Sequence, residues 1–221
     1  VKMICYKGLC AVVSQAPMIK YDATRENTIT HEKAIEAVMK KSTVLPLRFA
    51  TVVEDEKKVK SLLKEKYDEL VTELERIKGK KELGIKAIAK QDAIFNDILE
   101  KYEKIKKMKE KIAKLPAEKT YYERIEIGRM VEKALEDEKD AYRTEILDTL
   151  SPLALEHKEN KTFGDRMIVN AAFFIDAEAE AEFDKKVEEL DEKHGDKVIF
   201  KYVADVPPYN FVNMSIQLTS A

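Results

Sequence analysis

Thr43-Val44-Leu45-Pro46-Leu47-Arg48-Phe49-Ala50-Thr51-Val52-Val53 lies between two segments of clear helical period. It is apolar nearly throughout. A run this short and this rich in β-branched residues predicts a buried strand rather than a helix. Two residues strain that reading. Pro46 has no amide hydrogen to give a ladder, so it belongs at an edge, a bulge or a bend. Arg48 sets a permanent charge among apolar neighbours and requires a carboxylate, backbone carbonyls or a path to water. A structural ion pair is one expectation for Arg48; contact with a partner is the other.

On the N-terminal side, residues 3–14 (MICYKGLCAVVS) predict a β-hairpin turning at Lys7-Gly8. Cys5 and Cys10 then face each other across the hairpin. No export signal opens the sequence, so both are expected as free thiols of a reducing compartment. Thr30 is the expected cap of a helix to about Lys41, striped by Ala34, Ile35, Val38 and Met39. His31, in its first turn, has no Cys, His or carboxylate at ligand spacing, which excludes a metal reading and leaves a surface or hydrogen-bonded histidine. Asp55 is placed to cap a second helix with Val59, Leu62, Leu63, Tyr67, Leu70, Val71, Leu74 and Ile77 inward, closed by Gly79. Residues 82–89 (ELGIKAIA) then alternate as a strand. The first 90 residues therefore read β-β-α-β-α-β, an α+β sandwich.

Beyond residue 90, apolar positions recur at helical steps from Ile94 to Leu115 and again from Ile127 to Leu150, with Pro116 between. Two such helices fold back as an antiparallel hairpin with coiled-coil-like packing, although Glu138 falls on the seam. Residues 100–114 hold seven Lys and three Glu, the composition of a solvated helical face. Residues 153–160 and 167–175 read as strands, Asp176 as the start of a helix to His194, and 197–203 as a last strand before Pro207-Pro208. The expected domains are 1–90 and 91–221, both α+β.

Composition narrows function. Forty basic and forty-two acidic residues nearly cancel, so no global field draws nucleic acid or anionic lipid. No apolar run approaches the roughly 20 residues that span a bilayer. No phosphate loop, dinucleotide fingerprint or nucleophile elbow is present. The carboxylate pairs lie on lysine-rich helical faces, where nothing desolvates them into acid–base catalysts. The expectation is a chain that is not an enzyme and carries no cofactor or metal.

Four segments in combination resemble the gas vesicle accessory family GvpF/GvpL: His31-Glu32 leading to VLPLRFATVVEDE at 44–56, GKKELGIKA at 79–87, DRMIVNAAFFID at 165–176, and PPYNFV at 207–212. Their order and spacing match from about residue 9 to 212. Two departures stand out: Ala50 occupies a position where glycine is common, and family members usually open with a further strand before these residues, which begin at Val1. The resemblance implies a modified ferredoxin-like N-terminal domain and a C-terminal α+β domain with a coiled-coil hairpin. It implies a non-enzymatic, cytoplasmic, gas vesicle-associated assembly factor. The implied partners are the major shell protein, which is very hydrophobic, and other accessory proteins. Retention as a minor shell component is an alternative, and a ligand-binding or hydrolytic enzyme on a ferredoxin-like scaffold is a more distant one. The residues expected to meet a partner are Arg48 and Phe49 in the first block and Tyr209, Asn210 and Phe211 in the last.

Overall fold

A computed structural model describes residues 1–113, 115–116 and 119–212. The chain forms two compact units, Val1–Glu82 with the segment from Asp205, and Leu83–Ala204.

The first unit opens with the expected hairpin, β1 (Lys2–Tyr6) and β2 (Leu9–Val13). Lys7 and Gly8 have φ of 46° and 87°, the paired left-handed conformation of a two-residue turn. Tyr6 pairs with Leu9 and Cys5 with Cys10. Here the structure corrects the thiol expectation. The cysteines are joined in a disulfide, with Cα atoms 4.1 Å apart. They occupy the narrow cross-strand pair one step beyond Tyr6–Leu9, where side chains approach most closely.

Helix α1 (Arg25–Met39) begins earlier than expected because Thr24, not Thr30, is its cap and accepts from the Asn27 amide at 3.2 Å. The Thr30 hydroxyl instead donates back to the Glu26 carbonyl within the helix at 2.8 Å. Asp55 caps α2 (Glu56–Glu65) as expected, accepting from the Lys58 amide at 2.8 Å. The next stripe is divided, however. At Lys66 the backbone departs from helical values (φ −103°, ψ 15°) and α3 (Tyr67–Ile77) follows. The break brings Tyr67 to the hairpin, where its ring meets Tyr6 edge-on at 5.7 Å and its hydroxyl donates to the Lys7 carbonyl at 3.2 Å. Val59, Leu63 and Leu70 form a small core with Ile4, Tyr6, Leu9, Ala11 and Val13 from the inner face of the hairpin.

The strand expected over residues 43–53 does not form; the segment is irregular, with a turn at Phe49-Ala50. The observed order to residue 89 is thus β-β-α-α-α-β. Pro46 is buried but cannot pair, and Ala50 has φ 64°, which no ladder accepts.

In the second unit four strands lie in the order β4 (Glu156–Glu159), β5 (Met167–Asp176), β3 (Lys80–Ala89) and β6 (Val198–Val206). β3 and β6 each run across the boundary between the units. Leu83, Ile85, Ala87 and Ala89 are all buried, as alternation predicts. β5, the most apolar strand, is buried almost throughout.

Helices α4 (Gln91–Lys101), α5 (Glu103–Ala113) and α6 (Tyr121–Leu150) make the helical region, and α7 (Glu180–His194) follows β5. The stripe before Pro116 is interrupted at Tyr102, whose ψ of 81° separates α4 from α5. Glu138, the charge on the seam, is satisfied by Lys101: the ammonium lies 2.9 and 3.0 Å from its carboxylate oxygens. That hydrogen bond raises the Lys101 pKa above its ordinary value. Phe173, Phe183, Ile146 and Leu150 have no exposed surface and centre the larger core. Phe183 touches the rings of Phe173 (5.2 Å) and Tyr202 (6.1 Å). Phe183→Ala should cost about 3–5 kcal/mol, read as a lower urea midpoint with an unchanged slope.

Candidate functional site

Of the five residues expected to meet a partner, Tyr209 and Asn210 bond in the first unit to two acceptors, the Leu47 carbonyl and the Glu82 carboxylate. His31, on α1, lies with Nε2 2.8 Å from the Leu47 carbonyl oxygen. A carbonyl only accepts, so Nε2 carries the proton. The same oxygen receives the Tyr209 hydroxyl at 3.3 Å. One carbonyl, using both lone pairs, therefore ties α1, the 43–53 segment and the 207–212 segment together. Phe49 is half-buried with its ring edge-on to His31 at 5.8 Å. Burial and the negative charge of Glu32 hold the Tyr209 phenol above its usual pKa.

Glu82 is the second acceptor. It is 4% exposed, at the start of the alternating part of β3. A buried carboxylate is costly unless its oxygens are filled. Asn210 fills both: its amide nitrogen donates to Oε2 at 3.0 Å and its Nδ2 to Oε1 at 2.6 Å. The segment ahead of Asn210 is a tight turn, with the Phe211 amide on the Pro208 carbonyl at 3.2 Å and that of Val212 on it at 3.0 Å. The two prolines fix φ on entry and have no amide hydrogens to orphan. Phe211 is 5% exposed, and its carbonyl accepts from Arg76 at 2.6 Å. Arg76 also makes a forked pair with Glu73, at 2.9 and 2.8 Å.

Arg48 stands apart from these ties. It is exposed, and its guanidinium has no hydrogen bond or ion pair among the described residues. The structural ion pair expected for it is not formed among the described residues. Its backbone is nonetheless held: the Arg48 carbonyl accepts from the Thr51 amide (3.3 Å) and hydroxyl (2.7 Å). This closes a four-residue turn with Ala50 third and left-handed at φ 64°, a position that favours glycine. Leu47 beside it is 45% exposed.

Residue reasoning missed Glu82 and Arg76. No residue signal marked Glu82, because alternation from Leu83 puts it on the face that reads as outward. The described residues contain no cluster of three or more His, Cys, Asp or Glu able to hold a metal, and no helix long and apolar enough to cross a membrane.

The Glu82–Asn210 pair should behave as one unit. Glu82→Gln and Asn210→Ala should each cost about 1–3 kcal/mol. Their double variant should fall short of the sum by about 1 kcal/mol or more, measured as a double-mutant cycle in urea. At the turn the sign reverses: Ala50→Gly should raise stability by up to about 1 kcal/mol, seen as a higher melting temperature, because it relieves a left-handed alanine.

The chain is similar to known proteins. Gas vesicle protein F of Dolichospermum flosaquae is 33% identical over 210 residues, covering 93% of this chain and 84% of that protein. Gas vesicle protein F of Haloferax mediterranei is 24% identical over 96% of this chain and 81% of its own length. The crystal structure of the gas vesicle protein GvpF from Anabaena superposes with a TM-score of 0.75 at 31% identity, covering 91% of this chain and 83% of that one. That of GvpF from Microcystis aeruginosa gives 0.68 at 30%, covering 90% and 83%. The likeness supports a mixed helix and sheet fold of the GvpF kind. A family model described as gas vesicle synthesis protein GvpL/GvpF matches residues 1–213, and this chain belongs to that family.

Proposed function

We propose that this chain is a non-enzymatic gas vesicle assembly factor that binds the hydrophobic major shell protein. It is a cytoplasmic protein that acts together with other accessory proteins. Family membership supports the gas vesicle setting. The observation that carries the binding reading is the polar frame of the first unit. It holds Leu47, Arg48 and Tyr209 at the surface while Asn210 and Phe211 turn inward. Leu47 and Tyr209 are 45% and 38% exposed, apolar area next to a charge. In this reading Arg48, Phe49 and Tyr209 meet the partner. Asn210 and Phe211 contribute by setting where Tyr209 stands.

A second apolar surface favours the same partner. Met3 and Val12, paired across the hairpin, lie on its outer face and are 70% and 43% exposed. β1 and β2 form a two-stranded sheet, and neither outer edge has a strand partner among the described residues. A subunit destined for a gas-facing wall has apolar surface that must be covered before assembly, and an open sheet edge or apolar face can cover it. The finer fold reading belongs to the same proposal: two α+β domains, an N-terminal one of modified ferredoxin-like form and a C-terminal one with coiled-coil helices. F-type rather than L-type character is favoured by the extent of likeness. A gas vesicle protein L from Streptomyces matches only 63 residues, against 210 for the Dolichospermum protein F.

With the major shell protein co-expressed, the tagged full-length chain should co-purify with it, and deleting the gene should abolish vesicles. Normal vesicle yield without the gene would sink the assembly role. Immunolabelling of washed vesicles separates an assembly factor, which should be missing, from a retained minor component.

A further inference from the structure

Deepening the reading above and resting on it, we propose that Arg48 is a preorganised receptor for a carboxylate of the partner. The carboxylate belongs to an Asp or Glu flanked by aliphatic residues in a protein segment.

The backbone around Arg48 is fixed from both sides. The Leu47 carbonyl before it holds His31 Nε2 (2.8 Å) and the Tyr209 hydroxyl (3.3 Å). The Arg48 carbonyl holds the Thr51 amide and hydroxyl. Two residues on, Ala50 is kept left-handed, a conformation that a non-glycine residue retains only where its surroundings over-determine it, as at ligand clamps. In the midst of this, the guanidinium itself has no hydrogen bond or ion pair among the described residues. A long side chain serving only to solvate a loop needs no such frame. A frame that fixes the Cα of an unpaired cation lowers the ordering cost of pairing it later.

The surroundings select the ligand. Thr43–Val53 and Pro207–Val212 contain no acidic residue, and Arg48 is their single basic one. The Arg48 guanidinium is thus paired with no carboxylate among the described residues and stands next to exposed Leu47, while the acid whose charge reaches the site, at Tyr209, is Glu32 on α1. A nucleic acid or lipid surface is gripped by many cations at once, and one guanidinium among apolar side chains does not fit it. It fits a single carboxylate, which the planar fork can take with two parallel hydrogen bonds, while Leu47 and Tyr209 cover the adjoining aliphatic side chains.

The test uses the full chain and three variants, Arg48→Gln, Arg48→Lys and Arg48→Glu. Melting temperature, binding to the purified major shell protein at low and high salt, and vesicle yield in cells are measured for each. Arg48→Gln should melt within about 2 °C of the parent. It should bind at least tenfold more weakly and lose most of the salt dependence. Arg48→Lys should keep part of the binding, and Arg48→Glu should bind least. A large fall in melting temperature for Arg48→Gln would make the guanidinium structural and overturn the inference, as would unchanged binding. If the parent chain itself does not bind shell protein, the proposed function fails separately and vesicle yield decides the inference. Loss of vesicles in Arg48→Gln, restored by Arg48→Lys at equal stability, upholds a carboxylate on another gas vesicle protein. Wild-type yield from Arg48→Gln and Arg48→Glu overturns it.

Discussion

The buried carboxylate of Glu82 is the constraint on which the first unit depends. An acid this deep, 4% exposed, needs donors, and Asn210 delivers two to it. The chain leaves the first unit at Glu82 and returns to it at Asp205, after completing the whole of the second. Two of the donors to Glu82 therefore arrive from the far end of the chain. Apolar contacts are tolerant of where a returning segment lands. A two-point hydrogen bond from a backbone amide and a side-chain amide is not, and it sets the register of residues 207–212 to a single residue.

From that register the rest of the site follows. With Asn210 held, Tyr209 is aimed at the Leu47 carbonyl, which His31 already engages from α1. Pinning Leu47 fixes the entry to the turn at Arg48–Thr51, and the Thr51 hydroxyl and amide close its exit. The left-handed Ala50 is the cost of this geometry, roughly 1–2 kcal/mol for a residue with a Cβ. The bonds on either side, at about 1 kcal/mol each, are of the size needed to offset it.

Much of this fold could be read from residues. Lys7-Gly8 between two short apolar runs marked the hairpin turn, Asp55 marked a helix start, and the near-continuous apolar run at 167–175 marked the buried strand. These are local signals, decided by a few neighbours. The failures were decided at longer range. Thr43–Val53 has the composition of a strand. What overrides it is a proline that cannot pair and an alanine in the left-handed region, and the latter is invisible in composition. The breaks at Lys66 and Tyr102 carry no glycine or proline; they exist because of what each following helix packs against. At the site, PPYNFV and VLPLRFA were legible as blocks. That one carbonyl joins them was not, nor that Asn210 answers Glu82, since neither follows from spacing.

The two units are held differently, and this bears on why the site lies in the first. The second unit has a broad core of fully buried aromatic and branched side chains, whose cohesion is spread over many contacts. The first buries Val59, Leu63 and Leu70 beneath a hairpin and, elsewhere, combines buried Ile77 and Phe211 with polar ties. A large apolar core is insensitive to any one polar residue, whereas a polar frame depends on each donor and acceptor in it. His31, Glu82 and Asn210 are such residues, and each falls within a segment that resembles the gas vesicle family. The blocks that identify the family are therefore largely the parts of a hydrogen-bonded frame. The most exposed charge in that frame, Arg48, takes no part in holding it together.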